Sequence, residues 1–264
     1  MKKAIKLSLA ALITAVILLG CGRNQKSITL AGSTAFQPFA EKLAEQYMTA
    51  NAGTSITVQG GGSAVGIQSA LSGAAQIGMA DLVNLPPEAK ELSATVVARD
   101  GIAVVINPVN KVSNLTMDQI RDIFNGKIKN WKEVGGADQD ITVVSREAGS
   151  GTRTSFEEIV TGIDLTGAAL IQDSNGTIRE TVANDAGSIG YLSHGLLNDK
   201  IKALLINGQE CTTECIMAQK YLLVRPIFLL TKVQPGAEIQ SFIDYILSPE
   251  GQQTIKQNGL IPAK

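Results

Sequence analysis

The sequence is poor in the residues that run most metal and nucleophilic chemistry. It holds one histidine and three cysteines in 264 residues. His194, Cys211 and Cys215 make a poor metal site, because zinc normally takes four ligands. A serine nucleophile would have only His194, in "LSHG", as its base, and Ser150 in "GSG" lacks the GxSxG frame. His194 therefore reads as a turn residue. No lysine follows the glycines as a phosphate-binding P-loop needs, and the glycines at 60–66 miss the GxGxxG register, so no nucleotide cofactor is expected. Basic residues number 23 against 24 acidic ones, a net charge of −1, and no basic run occurs. That balance excludes an ordinary nucleic-acid binder. Any anion must be held by local donors and not by a general positive field.

A long apolar run is also missing. The stretch Leu7–Leu19 falls short of the ~20 residues that span a bilayer. It follows Lys2, Lys3 and Lys6 and ends in "LLGC", so residues 1–20 read as an export signal. Leu18 and Gly20 before Cys21 resemble a lipobox, in which Cys21 is lipidated and becomes the new N-terminus. Removing the signal takes three lysines and no acid, leaving a more acidic chain. Residues 21–26 then form a short polar tether. A disulfide closing "CTTEC" suits an oxidising compartment, yet two cysteines so placed could equally stay free.

What the chain does contain is an alternation of short β-rich runs with amphipathic helical ones, the pattern of an α/β fold. "SITLAGS", "TSITVQ" and "AAQIGMAD" read as strands, each ending in a polar or glycine-rich turn. "AFQPFAEKLAEQYMTA" places Phe36, Phe39, Leu43 and Tyr47 on one helical face. "GIAVVINP" at 101–108 and "VRPIFLLT" near 222–231 are apolar runs suited to crossing between lobes. Two crossings predict a discontinuous first lobe, 27–104 with 223–264, a second lobe of 105–222, and a hinge that can close around a ligand. The spacing also predicts helices at "TMDQIRDIFNG" and "TSFEEIVTG", strands at "DITVVSRE", "GSIGYLS" and "KALLING", and one closing helix through "EIQSFIDYILSPEGQQTIKQNG". No internal repeat is visible.

Three turns, "GSTAF" at 32–36, "GGGSAVG" at 60–66 and "GSGTRTS" at 149–155, put Ser or Thr with glycine just before a helical run. Free amides at a helix start, with the positive end of its dipole, favour an anion. The hydroxyls of Thr34, Ser63, Ser150 and Thr152 can add donors. Each turn alone is equally an ordinary N-cap. Arg146, four residues before Ser150, offers a fork that matches two oxygens of a tetrahedral oxyanion. Alternatively it pairs with Glu147. Asp81 ends a strand in "IGMADLV". A carboxylate only accepts, so it repels fully ionised sulfate and welcomes a ligand that still carries a proton, as phosphate does near neutral pH.

These segments, with "ARDGIAVVINPVNKVSNLTMDQIRDIFNGKIKNWKEVGG" and "SREAGSGTRTSFEE", resemble the phosphate-binding lipoprotein of the high-affinity phosphate ABC transporter, the PstS family, over essentially the whole mature chain. The resemblance implies a periplasmic-binding-protein-like fold: two α/β lobes, a hinge and an inter-lobe cleft. It places the phosphate ligands on Thr34 with the Ala35 amide, Ser63, Asp81 as acceptor, Arg146, and Ser150, Gly151 and Thr152. It departs at Ala80, where many relatives carry Ser, and the pair Cys211 and Cys215 lies outside the pattern.

The function so implied is capture of inorganic phosphate for an ABC permease, without catalysis, metal or cofactor. The expected protein is a monomeric, extracytoplasmic lipoprotein held at the outer face of the membrane or in the periplasm through Cys21. The competing readings are a receptor for another oxyanion and a secreted phosphatase-like enzyme using the same cradle.

Overall fold

The computed structural model describes residues 26–263. The signal read at 1–20 and the lipid anchor Cys21 lie outside the described residues. The first half of the chain opens with β1 (Lys26–Gly32), α1 (Gln37–Ala50), β2 (Thr54–Gln59), α2 (Ser63–Ser72) and β3 (Ile77–Asp81). β1 pairs in parallel with both β2 and β3. Parallel neighbours need a crossover, and α1 and α2 supply it. α1 buries Phe39, Ala40, Leu43, Ala44 and Tyr47 on one face.

β4 (Ser93–Ile106) follows and is the longest strand described, at 14 residues. Beyond it come β5 (Asn114–Leu115), α3 (Met117–Phe124), β6 (Thr142–Arg146), α4 (Gly151–Ile159), β7 (Leu170–Gln172), α5 (Asn175–Asn184) and β8 (Ser188–Ser193). Then β9 (Lys202–Ala203), β10 (Leu205–Ile206), α6 (Thr213–Met217), β11 (Val224–Thr231), α7 (Ala237–Leu247), α8 (Pro249–Gln257) and β12 (Ile261–Pro262) complete the chain. The main sheet runs β2-β1-β3-β11-β4-β8-β6-β7, with β9 and β12 also paired to β4.

β4 is the strand that joins the two lobes of this α/β fold. Its residues 93–101 pair antiparallel with β11, and 102–106 pair antiparallel with β8. At the exchange the Ile102 amide donates to the Leu223 carbonyl at 2.8 Å, so the two crossings touch. Two separate apolar cores flank this point. Ile28, Leu30, Leu43, Met79, Leu229 and Phe242 belong to one. Val104, Phe124, Trp131, Phe156, Ile178 and Tyr191 belong to the other.

Three local expectations need correction. The closing helix is two helices, α7 and α8, because the residue before a proline is pushed out of the helical region. Ser248, at ψ 163°, ends one, and its hydroxyl caps the next by accepting from the Gly251 amide. "KALLING" is two separate bridges, β9 on β4 and β10 on β5. The strand read at 101–108 begins as early as Ser93, since Val97 and Ala98 are as buried as Ile102–Ile106. His194 opens a short 3₁₀ turn, as expected. Cys211 and Cys215 are free thiols, and burial pushes the Cys211 thiol far up, which makes it a poor nucleophile.

Candidate functional site

Every candidate side chain sits at or just beyond the carboxyl end of a strand, where ligands of open α/β sheets bind. Thr34 and Ala35 follow β1, Ser63 follows β2, Asp81 ends β3, and Arg146 ends β6 ahead of Ser150, Gly151 and Thr152. The capping question now has separate answers. Ser150 is an N-cap, its hydroxyl accepting from the Arg153 amide at 3.3 Å. Ser63 and Thr34 are not caps: α2 is preceded by Gly62, whose φ is 88°, and α1 by Phe36, neither with a side-chain cap. Their hydroxyls are used elsewhere.

Ser63 Oγ donates to Asp81 Oδ1 at 2.8 Å and accepts from the Asp81 amide at 3.0 Å. Thr152 Oγ1 donates to Asp81 Oδ2 at 3.2 Å. Asp81 is thus held by a hydroxyl from each lobe. Asn175, at the start of α5, reaches Thr34 Oγ1 at 3.0 Å and Thr152 Oγ1 at 3.4 Å through the same Nδ2. A further cross-cleft bond runs from the Ala64 amide to the Gly149 carbonyl at 3.1 Å. The two walls are closed on one another.

Gly151 makes that approach possible. A Cβ there would overlap Ser63 Oγ and stand 2.6 Å from the Asp81 carbonyl oxygen, so only glycine lets α4 start against β3. The first-turn amides of Gly151 and Thr152 have no acceptor within the helix, as at any helix N-terminus. Ala35 is 1 % exposed in the neighbouring turn.

Arg146 makes the expected pair with Glu147 and keeps one arm besides. Nε and Nη2 pair with the Glu147 carboxylate at 2.8 Å each, and Nη2 also donates to the Asp173 carbonyl at 3.2 Å. The residue is nonetheless 1 % exposed, and Nη1 is buried with no hydrogen-bond partner among the described residues. A desolvated guanidinium arm is costly to leave unpaired, so it marks a place for an acceptor. Its backbone is fixed by Tyr191, whose hydroxyl accepts from the Arg146 amide at 3.4 Å and shares a 2.7 Å bond with Ser145 Oγ. Tyr191 stacks on Phe156 with ring centroids 4.1 Å apart. Burial pushes the Tyr191 phenol up to about 12, which keeps it neutral.

Sequence reasoning missed the groups behind Asp81. Arg225 Nη1 lies 2.6 Å from Asp81 Oδ2, and its Nη2 lies 2.9 Å from Asp100 Oδ2. Ser193 Oγ donates to Asp100 Oδ1 at 2.8 Å, and the Ser193 amide donates to Asn175 Oδ1 at 3.0 Å. A closed ring of buried polar groups results: Asp81, Arg225, Asp100, Ser193, Asn175 and Thr152. The signal in the sequence was a charge inside an apolar strand, Arg225 in "VRPIFLLT" and Asp100 in "ARDGIAVV", which must find a partner when buried. Burial pushes the Asp100 carboxyl up, against the pull of Arg225. Ala80 packs in an apolar cluster with Ile67 and Leu230.

The PBP superfamily domain matches residues 21–250. The phosphate-binding protein PstS of Bacillus subtilis is 36% identical over 241 residues, covering 89% of this chain and 80% of the relative. PstS of Borreliella burgdorferi is 28% identical, with 100% of both chains covered. A phosphate ABC transporter substrate-binding protein from Clostridium perfringens, solved with bound phosphate, superposes with a TM-score of 0.88 at 40% identity, covering 90% of this chain and 100% of that one. An ABC-type phosphate transport receptor from Vibrio cholerae gives a TM-score of 0.74 at 35% identity, covering 89% and 99%.

Proposed function

The chain belongs to the PstS family of phosphate-binding proteins, and we propose from this that it captures inorganic phosphate in the cleft between its lobes and hands it to an ABC permease for import. The observation that carries the site assignment is a pair of opposite groups, each buried at the carboxyl end of a strand. Asp81, an acceptor, is braced by Ser63 and Thr152 beside the first-turn amides of α4, and Arg146 keeps a buried arm without a partner. Hydrogen phosphate needs both kinds of group, because it carries acceptor oxygens and a proton.

In this reading Thr34, Ala35, Ser63 and Asp81 form one wall. Arg146, Ser150, Gly151 and Thr152 form the other. Phosphate binds the open form, and the contacts it makes to both walls at once stabilise the closed form, which is the differential affinity that closure requires. The lobes would exchange at Gly101/Ile102, where β4 changes partner from β11 to β8, and at Leu223/Val224, where β11 begins. The relatives are substrate-binding components of transporters, and the role proposed here is binding without chemistry. It is exercised outside the cytoplasm, with Cys21 as lipid anchor and a single copy as the working unit.

The test is calorimetric titration of ligand-stripped protein with phosphate and with sulfate, repeated on Asp81→Asn. Phosphate binding with little sulfate binding, and a preference narrowed at least ~10-fold in the variant, is the expected outcome. Folded, ligand-free protein that binds no phosphate would overturn the assignment.

A further inference from the structure

The geometry points to Arg225 as a specificity-setting positioning residue: by pairing with Oδ2 of Asp81 it fixes that carboxylate as a pure acceptor and leaves Oδ1 to take the ligand's proton. This deepens the phosphate reading and rests on it.

A carboxylate offers about four lone-pair positions, two on each oxygen. Oδ2 accepts from Thr152 Oγ1 at 3.2 Å and forms a 2.6 Å ion pair with Arg225 Nη1, which also donates to the Asp81 carbonyl at 3.5 Å, so this side of the carboxylate is occupied by a hydroxyl and a fixed positive charge. Oδ1 receives Ser63 Oγ at 2.8 Å, and one position remains. A Cβ on Gly151 would stand 2.9 Å from Oδ1, so the start of α4, whose amides are the proposed anion donors, packs beside that oxygen, and in the phosphate reading the open position is the one that takes the ligand's proton.

Charge explains why a carboxylate needs this help. Asp81 is 2 % exposed, and a buried carboxylate without a counter-charge tends to take up a proton. It would then donate a hydrogen bond and accept sulfate as readily as phosphate. Arg225 prevents this from β11, the strand between those carrying Asp81 and Asp100. Arg225 stands directly across from Asp100 in the ladder, and Ile227 across from Asp81, so its fork divides between the two carboxylates. One guanidinium serves two acids. The groups facing the trio are Ser63 and Thr152 on Asp81 and Ser193 on Asp100. Burial raises the Asp100 carboxyl, against the pull of the Arg225 guanidinium that the two acids share.

The experiment titrates the full chain with phosphate and sulfate in four forms: native, Arg225→Gln, Arg225→Lys, and Arg225→Gln combined with Asp81→Asn. Arg225→Gln should lower the phosphate-to-sulfate affinity ratio at least ~10-fold, and Arg225→Lys, which keeps the charge, should stay within ~3-fold of native. In the Asp81→Asn background Arg225→Gln should change the ratio by less than ~2-fold, because its effect passes through Asp81. Folded Arg225→Gln with a native ratio, or an equal loss in both backgrounds, overturns the proposal. If Arg225→Gln alone fails to fold, Arg225→Gln with Asp100→Asn carries the same comparison, since it leaves one fewer unpaired buried carboxylate. Failure of the native protein to bind phosphate would instead sink the reading of the whole site.

Discussion

The hydroxyl of Tyr221 donates to the carbonyl of Ile102 at 2.8 Å, and the Ile102 amide donates to Leu223, so one residue of β4 is held from both sides where the chain crosses between lobes. The crossing is a fastened pair of strands and not a loose linker. The closure proposed above would therefore be absorbed by small changes around Gly101 and Val224, the residues beside this contact.

Tyr221→Phe would remove that donor and leave a buried carbonyl unsatisfied. An unsatisfied buried group costs about 1–3 kcal/mol. Denaturant unfolding should show a loss of that size, with the slope of the transition unchanged. An unaltered midpoint would show that the Tyr221 hydroxyl does not brace the crossing.

Arg146→Lys tests the fork. Lysine keeps the charge but cannot bond Glu147 through two nitrogens while presenting a third to a ligand. Phosphate affinity should fall at least ~10-fold, about 1.4 kcal/mol, with a smaller change in melting temperature. Equal affinities would reduce Arg146 to its pairing with Glu147.

Gly151→Ala forces a methyl group against Ser63 Oγ and the Asp81 carbonyl. Overpacking of this kind typically costs 1–3 kcal/mol, roughly, and here it must also separate the two walls of the cleft. Both the melting temperature and the phosphate affinity should drop. A variant that melts and binds like the native protein would mean that α4 does not seat against β3 in solution.

Asp100 sets a pH dependence with a definite sign. Burial lifts its carboxyl above the ordinary 3.8, so over the range just above that value the folded protein holds a proton that the unfolded chain has released. Unfolding then releases a proton, and stability falls as pH rises through that window. Asp100→Asn removes this linkage. Melting temperatures of the two proteins, followed from pH 3.8 upward, should show the native protein losing ground to the variant. Parallel curves would exclude the effect.

The sequence alone determined the α/β class, the order of most elements, and where donors would collect. Hydrophobic periodicity and turn chemistry are local, and a glycine with a hydroxyl ahead of a helix marks free amides wherever the helix is placed. It singled out Asp81 and Arg146 as candidates by the chemistry of their side chains. It did not assign them their neighbours.

Only the tertiary structure decided that Ser150 caps a helix while Ser63 braces Asp81, although the two read alike in the chain. The same holds for Arg225, Asp100, Ser193 and Asn175, which stand 144, 19, 112 and 94 positions from Asp81 along the chain and meet it in one buried ring. A buried charge shows in sequence that it needs a partner. Which partner it finds depends on strand order, because β11 is inserted between β3 and β4 and nothing local to Arg225 records that placement.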